Sequence, residues 1–149
     1  MKVLFVCTGN TCRSPMAEAS FNHLCNNNEN VSSFSRGINV FLPQPINPKS
    51  KSALAAAGID FNEDFLSQQI SLTDINDADL ILTMTSDQKQ VLKVAFPKYK
   101  NKIFSLCEKA YGKDGNIDDP FGQSEDVYVK CFNQIEKAVK VIYEQNFKY

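Results

Sequence analysis

The sequence predicts a three-layer α/β sandwich, a four-stranded parallel sheet with helices on both faces. Three observations carry this expectation. Four short strand-like runs, KVLFVC (2–7), VSSFS (31–35), ADLILTMT (78–85) and KIFSLC (102–107), alternate with stretches of helical character. Such alternation implies right-handed crossovers, which place helices on both sides of a parallel sheet. The chain has 149 residues, 43% of them apolar, enough for one core and few for two, so residues 1–149 are expected to form a single domain.

Each element has its own signal. KVLFVC is almost wholly apolar, as expected of a strand buried on both faces. SPMAEASFNHLC (14–25) reads as a helix, with Ser14 as its N-cap and Pro15 in the first turn, where a missing N–H is harmless. The asparagine run NNNEN (26–30) ends it, and VSSFS starts the second strand. RGINVFLPQPINP is an irregular connection. KSKSALAAAG (49–58) is a helix closed by Gly58, and LTDIND (72–77) a short helical turn before the third strand. SDQKQVLKVAF (86–96) is a helix capped by Ser86, and SEDVYVKCFNQIEKAVKVIYEQ (124–145) a long amphipathic final helix.

Composition excludes several classes of function. Net charge is −1, from 16 basic and 17 acidic residues spread along the chain, so no broad electrostatic footprint for nucleic acid exists. No secretion signal and no apolar run near the ~18 residues of a membrane span are present. A soluble, cytoplasmic monomer is expected. Five scattered cysteines suit a reducing compartment rather than a disulfide framework. With His23 the only histidine and no C-x2-C pair, neither a metal site nor a cofactor is expected.

The chemistry concentrates in CTGNTCRS (7–14). In a sheet of this type ligands bind beyond the C-terminal ends of strands, and this loop lies there, between the first strand and the first helix. Its small residues leave backbone N–H groups and the positive end of a helix dipole aimed at one spot, which favours an anion. Gly9 and Asn10 tolerate left-handed geometry, and the Arg13 fork can take two oxygens of a phosphoryl group. The same field favours the thiolate of Cys7 as a nucleophile. Thr8, Gly9, Asn10, Thr11, Cys12, Arg13 and Ser14 together form the expected phosphate cradle. It is neither a nucleotide P-loop, since no lysine occurs between Cys7 and Lys49, nor a dinucleotide fingerprint, since Gly9 has no second glycine nearby.

Attack by a thiolate on phosphorus needs an acid for the leaving group. NIDDPFG (116–122) supplies one, because Pro120 stiffens the residue before it and can hold Asp119 over the mouth of the cradle. Asp118 competes for the role.

Taken together, VCTGNTCRSPMAEA and DDPFG resemble the low-molecular-weight cysteine phosphatases, with their C-x5-R-S/T loop and distant D-P acid loop. The resemblance spans nearly the whole chain. It implies that Cys7 forms a phosphocysteine intermediate, that Arg13 binds the phosphoryl group, and that Asp119 acts as acid and then as base on phosphorylated protein substrates. It also implies that Asn10 braces the loop and that the Ser14 hydroxyl assists the thiolate. Thr11, where tyrosine-directed relatives carry a bulkier apolar residue, and Phe121 followed by Gly122, where they carry two aromatics, resemble the bacterial protein-arginine phosphatases. Specificity is accordingly assigned to Thr11 and Phe121, with protein-tyrosine phosphatase activity as the alternative.

Arsenate reduction coupled to thioredoxin is a more distant alternative that uses the same cradle, but it needs further cysteines after the third strand, and LTMTSDQK (82–89) has none. A binding module on an inactive scaffold is expected to lack nucleophile or acid, and both are present. Two further expectations concern regulation and charge: a peroxide-formed Cys7 sulfenic acid captured by Cys12, and an extra cation, Arg36, near the rim of the cradle.

Overall fold

The computed structural model describes residues 1–26 and 28–147. A parallel sheet runs through its centre in the order β2-β1-β3-β4, with β1 Lys2–Cys7, β2 Ser32–Gly37, β3 Leu80–Thr83 and β4 Ile103–Ser105. The side chains of β1 alternate between two cores, as the period of a strand requires. Val3, Phe5 and Cys7 point into the larger one, with helices α1 (Arg13–Leu24), α2 (Pro48–Ala56), α5 (Leu106–Tyr111) and α6 (Glu125–Asn146). Leu4 and Val6 point into the smaller one, against α3 (Leu72–Asp77), α4 (Ser86–Ala95) and the 3-10 turn Pro97–Lys102. Helices thus cover both faces.

Phe21 of α1 ties the larger core together. Its buried ring meets Phe5, Tyr143 and Phe147 edge-on at centroid distances of 5.7, 5.9 and 5.5 Å. Such contacts add roughly 0.5–1.5 kcal/mol each beyond the area they bury, and they fix the end of α6 against β1.

Several boundaries differ from the expectation, each for a local reason. Ser14 is not the cap of α1: Cys12 occupies that position without a side-chain bond, and the Ser14 hydroxyl is used elsewhere. Thr85, not Ser86, caps α4, in a reciprocal capping box with Gln88. The box takes Met84 and Thr85 out of the third strand, while Ala78 caps α3 at its other end. A helix not expected, α5, begins immediately after β4, where Ser105 and Glu108 form another capping box, so Leu106 and Cys107 are helical. Gly58 follows α2 with a φ of 70°, the left-handed residue expected to stop it. Asn27, within the asparagine run expected to end α1, lies outside the described residues. No helix among those residues is long and apolar enough to cross a membrane.

The order β2-β1-β3 means that the chain leaves β1 for one neighbour and returns for the other. The C-terminal end of β1 is therefore the crevice where such sheets bind ligands. Cys7 sits there.

Candidate active site

Residues 8–12 carry the chain from β1 to the first turn of α1. The Cys7 sulfur, nearly inaccessible at 3% exposure of its residue, lies 2.9 Å from Ser14 Oγ and accepts from the Asn10 N–H at 3.2 Å. Asn10 has a φ of 58°, the left-handed geometry expected for the loop. Its side chain holds three partners: Nδ2 donates to Ser14 Oγ at 2.8 Å and to Ser35 Oγ at 3.0 Å, and Oδ1 accepts from the Gln68 N–H at 2.9 Å. A hydroxyl has one proton. Because Ser14 Oγ already accepts from Asn10, that proton is free to point at the sulfur.

The loop's carbonyls are occupied by its surroundings. Those of Cys7, Thr8 and Thr11 accept from the N–H groups of Ile38, Asn39 and Asn47 at 3.0, 2.9 and 2.9 Å, and that of Cys12 accepts from Ser50 Oγ at 3.4 Å. In a trans peptide the N–H points opposite to the C=O, so this arrangement turns the following amides to the concave side. Thr8 Oγ1 accepts from Gln88 Nε2 at 3.1 Å. Gly9 does not use its conformational freedom, since its φ is not positive and a Cβ there meets only Thr11 Oγ1 at 3.9 Å. The indispensable glycine is Gly37: a Cβ on it sits 2.7 Å from the Thr8 carbonyl and 3.0 Å from Asn10 Cβ.

Arg13 is buried beneath the loop. Its Nη1 donates to the Ile117 carbonyl at 2.8 Å, and its Nη2 lies 3.7 Å from Asp119 Oδ2. The Asp119 side chain is 55% exposed, and its Oδ1 accepts from the Phe121 N–H at 3.1 Å, a tight turn built on Asp-Pro. Residues 7–13, Asp119 and Phe121 line one pocket of about 230 Å³. Asp118 lies outside it, in an adjoining groove with Asp87, Gln88 and Asn116 that shares Thr8, Arg13 and Asp119.

Thus Cys7, Thr8, Gly9, Asn10, Thr11, Cys12, Arg13, Asp119 and Phe121 meet in one place, and Ser14 stands behind them. Cys12 contributes its backbone. Its thiol is turned to the Tyr128 hydroxyl at 3.5 Å, and burial pushes its pKa up. The extra cation expected at the rim is not there: Arg36 lies on the other face of the sheet, paired with Asp74 at 3.0 Å and stacked over Phe34. Its alternation in β2 opposite Val6 sends it away from the cradle.

Ser35, Gln68, Gln88 and Glu18 belong to the site's support. Glu18 lies within the VCTGNTCRSPMAEA stretch and Gln88 in a T-x-x-Q capping pattern, whereas Ser35 and Gln68 carry no motif. Glu18 accepts from Ser35 Oγ at 2.7 Å, and burial pushes its carboxyl above the usual range despite that bond. A hydrogen-bonded path therefore runs from the half-buried Glu18 through buried Ser35, Asn10 and Ser14 to the sulfur.

Comparison with known proteins agrees with this geometry. Residues 2–148 match the family model of the low molecular weight phosphotyrosine protein phosphatases. The chain belongs to that family. Among low molecular weight phosphatases, a protein-arginine-phosphatase of Bacillus subtilis (strain 168) is 36% identical over 146 residues, which cover 97% of this chain and 96% of that one. A low molecular weight protein-tyrosine-phosphatase PtpB of Staphylococcus epidermidis is 37% identical over 142 residues, covering 95% and 96%. A solved structure of the YwlE arginine phosphatase, a C7S mutant with a phosphorylated active-site serine, superposes with a TM-score of 0.91 at 35% identity, covering 97% of this chain and 95% of that one.

Proposed function

We propose that the protein removes the phosphoryl group from phosphoarginine in proteins through a phosphocysteine intermediate. The observation that carries this reading is the meeting of Cys7, held by Ser14 and Asn10, with the Arg13–Asp119 pair in one pocket. In the first step the Cys7 thiolate attacks phosphorus, forming the S–P bond as the P–N bond breaks. Asp119 gives its proton to the departing guanidine nitrogen. Arg13 spends one N–H on Ile117 and retains others for the phosphoryl oxygens, alongside the loop amides. In the second step Asp119, now a carboxylate, takes a proton from water as its oxygen attacks phosphorus. The S–P bond breaks, phosphate leaves, and the Ser14 hydroxyl donates to the restored thiolate.

Two wall residues favour arginine. Thr11 offers a hydroxyl beside the polar guanidino group, and the single exposed ring of Phe121 offers a face for its plane. The likeness to the PtpB enzymes keeps phosphotyrosine as the second reading. Five free cysteines fit a reducing, cytoplasmic setting for either.

The deciding measurement is kcat/KM on matched phosphoarginine and phosphotyrosine peptides, in the natural protein and in Thr11→Ile. Isoleucine keeps the Cβ branch and replaces a hydroxyl by apolar surface. Burial of a methylene favours the phenyl ring by roughly 0.8 kcal/mol, and loss of a hydrogen bond penalises guanidine by about 0.5–1.5 kcal/mol. The arginine-to-tyrosine ratio should fall about ten- to fiftyfold. A natural protein that prefers phosphotyrosine, or a variant that loses both activities equally, would remove the arginine assignment from Thr11.

A further inference from the structure

The loop that carries Asp119 leaves α5 at Gly112 and reaches α6 only at Glu125, with no regular structure between. It is fastened most densely at its near end, while farther on Pro120 is buried and the Asp118 carbonyl accepts from Cys131 Sγ at 3.8 Å. The Asp114 carboxylate takes four donors: Lys89 Nζ at 2.5 Å and Ser86 Oγ at 2.8 Å on Oδ2, and Ser105 Oγ at 2.6 Å and the Gly115 N–H at 3.0 Å on Oδ1. Lys89 is a buried cation, only 5% exposed, and its second partner is Glu108 at 3.3 Å. These donors hold Asp114 well below the usual carboxylate range. Ser86 and Lys89 come from α4 and Ser105 from the end of β4, where it caps α5, so Asp114 is fastened to α4 and to the junction of β4 with α5.

Three further contacts pass this placement along the chain. Asn116 Oδ1 accepts from the Ser86 N–H at 2.8 Å, the Ile117 N–H donates to the Met84 carbonyl at 2.8 Å, and the Ile117 carbonyl receives Arg13. Gly115 is pressed against α5, where a Cβ on it would lie 3.2 Å from Cys107 Cβ. Beyond Ile117 the carboxylate of Asp119 has polar partners only in Arg13 and its own turn among the described residues.

We propose that Asp114, locked to Lys89, is a positioning residue that sets where Asp119 stands over the sulfur. The proposal rests on the reading of Asp119 as the general acid. An error of about 1 Å in such a group can cost on the order of a hundredfold in rate, and Asp114 is five residues from the acid in a chain that spans about 3.3–3.6 Å per residue. Lysine and aspartate here act on the reaction without touching it.

The test uses a series of aryl phosphates of rising leaving-group pKa, because a misplaced acid matters most for the poorest leaving groups. Asp114→Asn should lower kcat/KM about ten- to a hundredfold on phenyl phosphate and no more than about threefold on 4-nitrophenyl phosphate. Adding it to Asp119→Asn should change either rate by less than about twofold, since the group it positions is gone. Ser86→Ala removes one donor without stranding the buried cation, so it decides the matter even if Asp114→Asn does not fold; it should lose about two- to fivefold with the same leaving-group bias. Losses equal across the series, or repeated in full on top of Asp119→Asn, would overturn the proposal. Failure of the underlying reading has a different signature: Asp119→Asn alone would then leave the leaving-group dependence unchanged.

Discussion

The cradle of residues 7–14 and the loop of residues 113–122 face each other across one pocket, and they are held in opposite ways. In the cradle Asn10 and Ser14 are wholly buried, and their side chains are bonded to each other or to the protein behind them. The opposing loop is clamped at Asp114, Asn116 and Ile117, after which Asp119 and Phe121 stand largely in solvent. A buried, fully satisfied network is rigid and costly to break. An exposed tip on a fixed base is cheap to alter structurally and expensive to alter chemically. Changes in the cradle's support should therefore register in stability, and changes at the loop's tip in catalysis alone.

Four substitutions sharpen that contrast. Cys7→Ser keeps the shape of the cradle and removes the proposed nucleophile, so turnover should fall by on the order of 10⁵ or more while inorganic phosphate still binds. Retained turnover together with lost phosphate binding would contradict it. Asp119→Asn should lose about 10²–10⁴-fold in kcat/KM at unchanged thermal stability, the usual worth of a general acid, while Asp118→Asn loses less than about threefold. A larger loss for Asp118→Asn would transfer the acid role to the groove outside the pocket. Asn10→Ala strikes the cradle's support: it removes the amide whose hydrogen bonds offset a φ of 58° and strands the Gln68 N–H. Stability should drop by roughly 2–4 kcal/mol, read by urea denaturation, with activity falling alongside it. A variant as stable as the parent would show that the network is ornament.

The smallest effect concerns Glu18, at the far end of the path to the sulfur. Burial raises its folded pKa, so its neutral form suits the folded protein better. Its contribution to stability is complete at pH below the ordinary glutamate value of about 4.3 and is lost as pH rises through the raised folded value. Glu18→Gln should therefore melt higher than the parent at pH 7, with the gap closing toward pH 4. A gap of equal size at both pH values would refute the electrostatic account.

The order β-α-β and the cradle were legible because both are local: an apolar run, a loop of small residues and a helix with proline in its first turn lie within eighteen consecutive positions or so. The placement of Asp119 beside the cradle was legible through Pro120. What escaped was of two kinds. Ser14 has the sequence of a cap, but the loop's left-handed Asn10 carries the chain around so that Cys12 fills the cap position, and the contact of Ser14 with the thiol was legible only through the family resemblance. The helix α5 and the true start of α4 were missed although S-L-C-E and T-S-D-Q spell capping boxes, since each directly abuts a strand-like run that absorbed it. Ser35, Gln68 and the Asp114–Lys89 lock belong to the second kind. They meet the site only because the sheet brings distant segments together, and no spacing in the sequence encodes such a meeting.

That distance has a bearing on how the molecule is made. The cradle's residues emerge from the ribosome ahead of almost everything that shapes them: Ser35 follows Asn10 by 25 positions, Gln68 by 58, and Ile117 follows Arg13 by 104. Contacts so far apart in the chain are closed late, after the parallel strands have docked. A nascent or partly folded chain accordingly contains every letter of the motif and none of its geometry. Catalytic competence is a property of the finished fold, so recovery of turnover during refolding should trail the appearance of helix and serve as the clock for the last step of assembly.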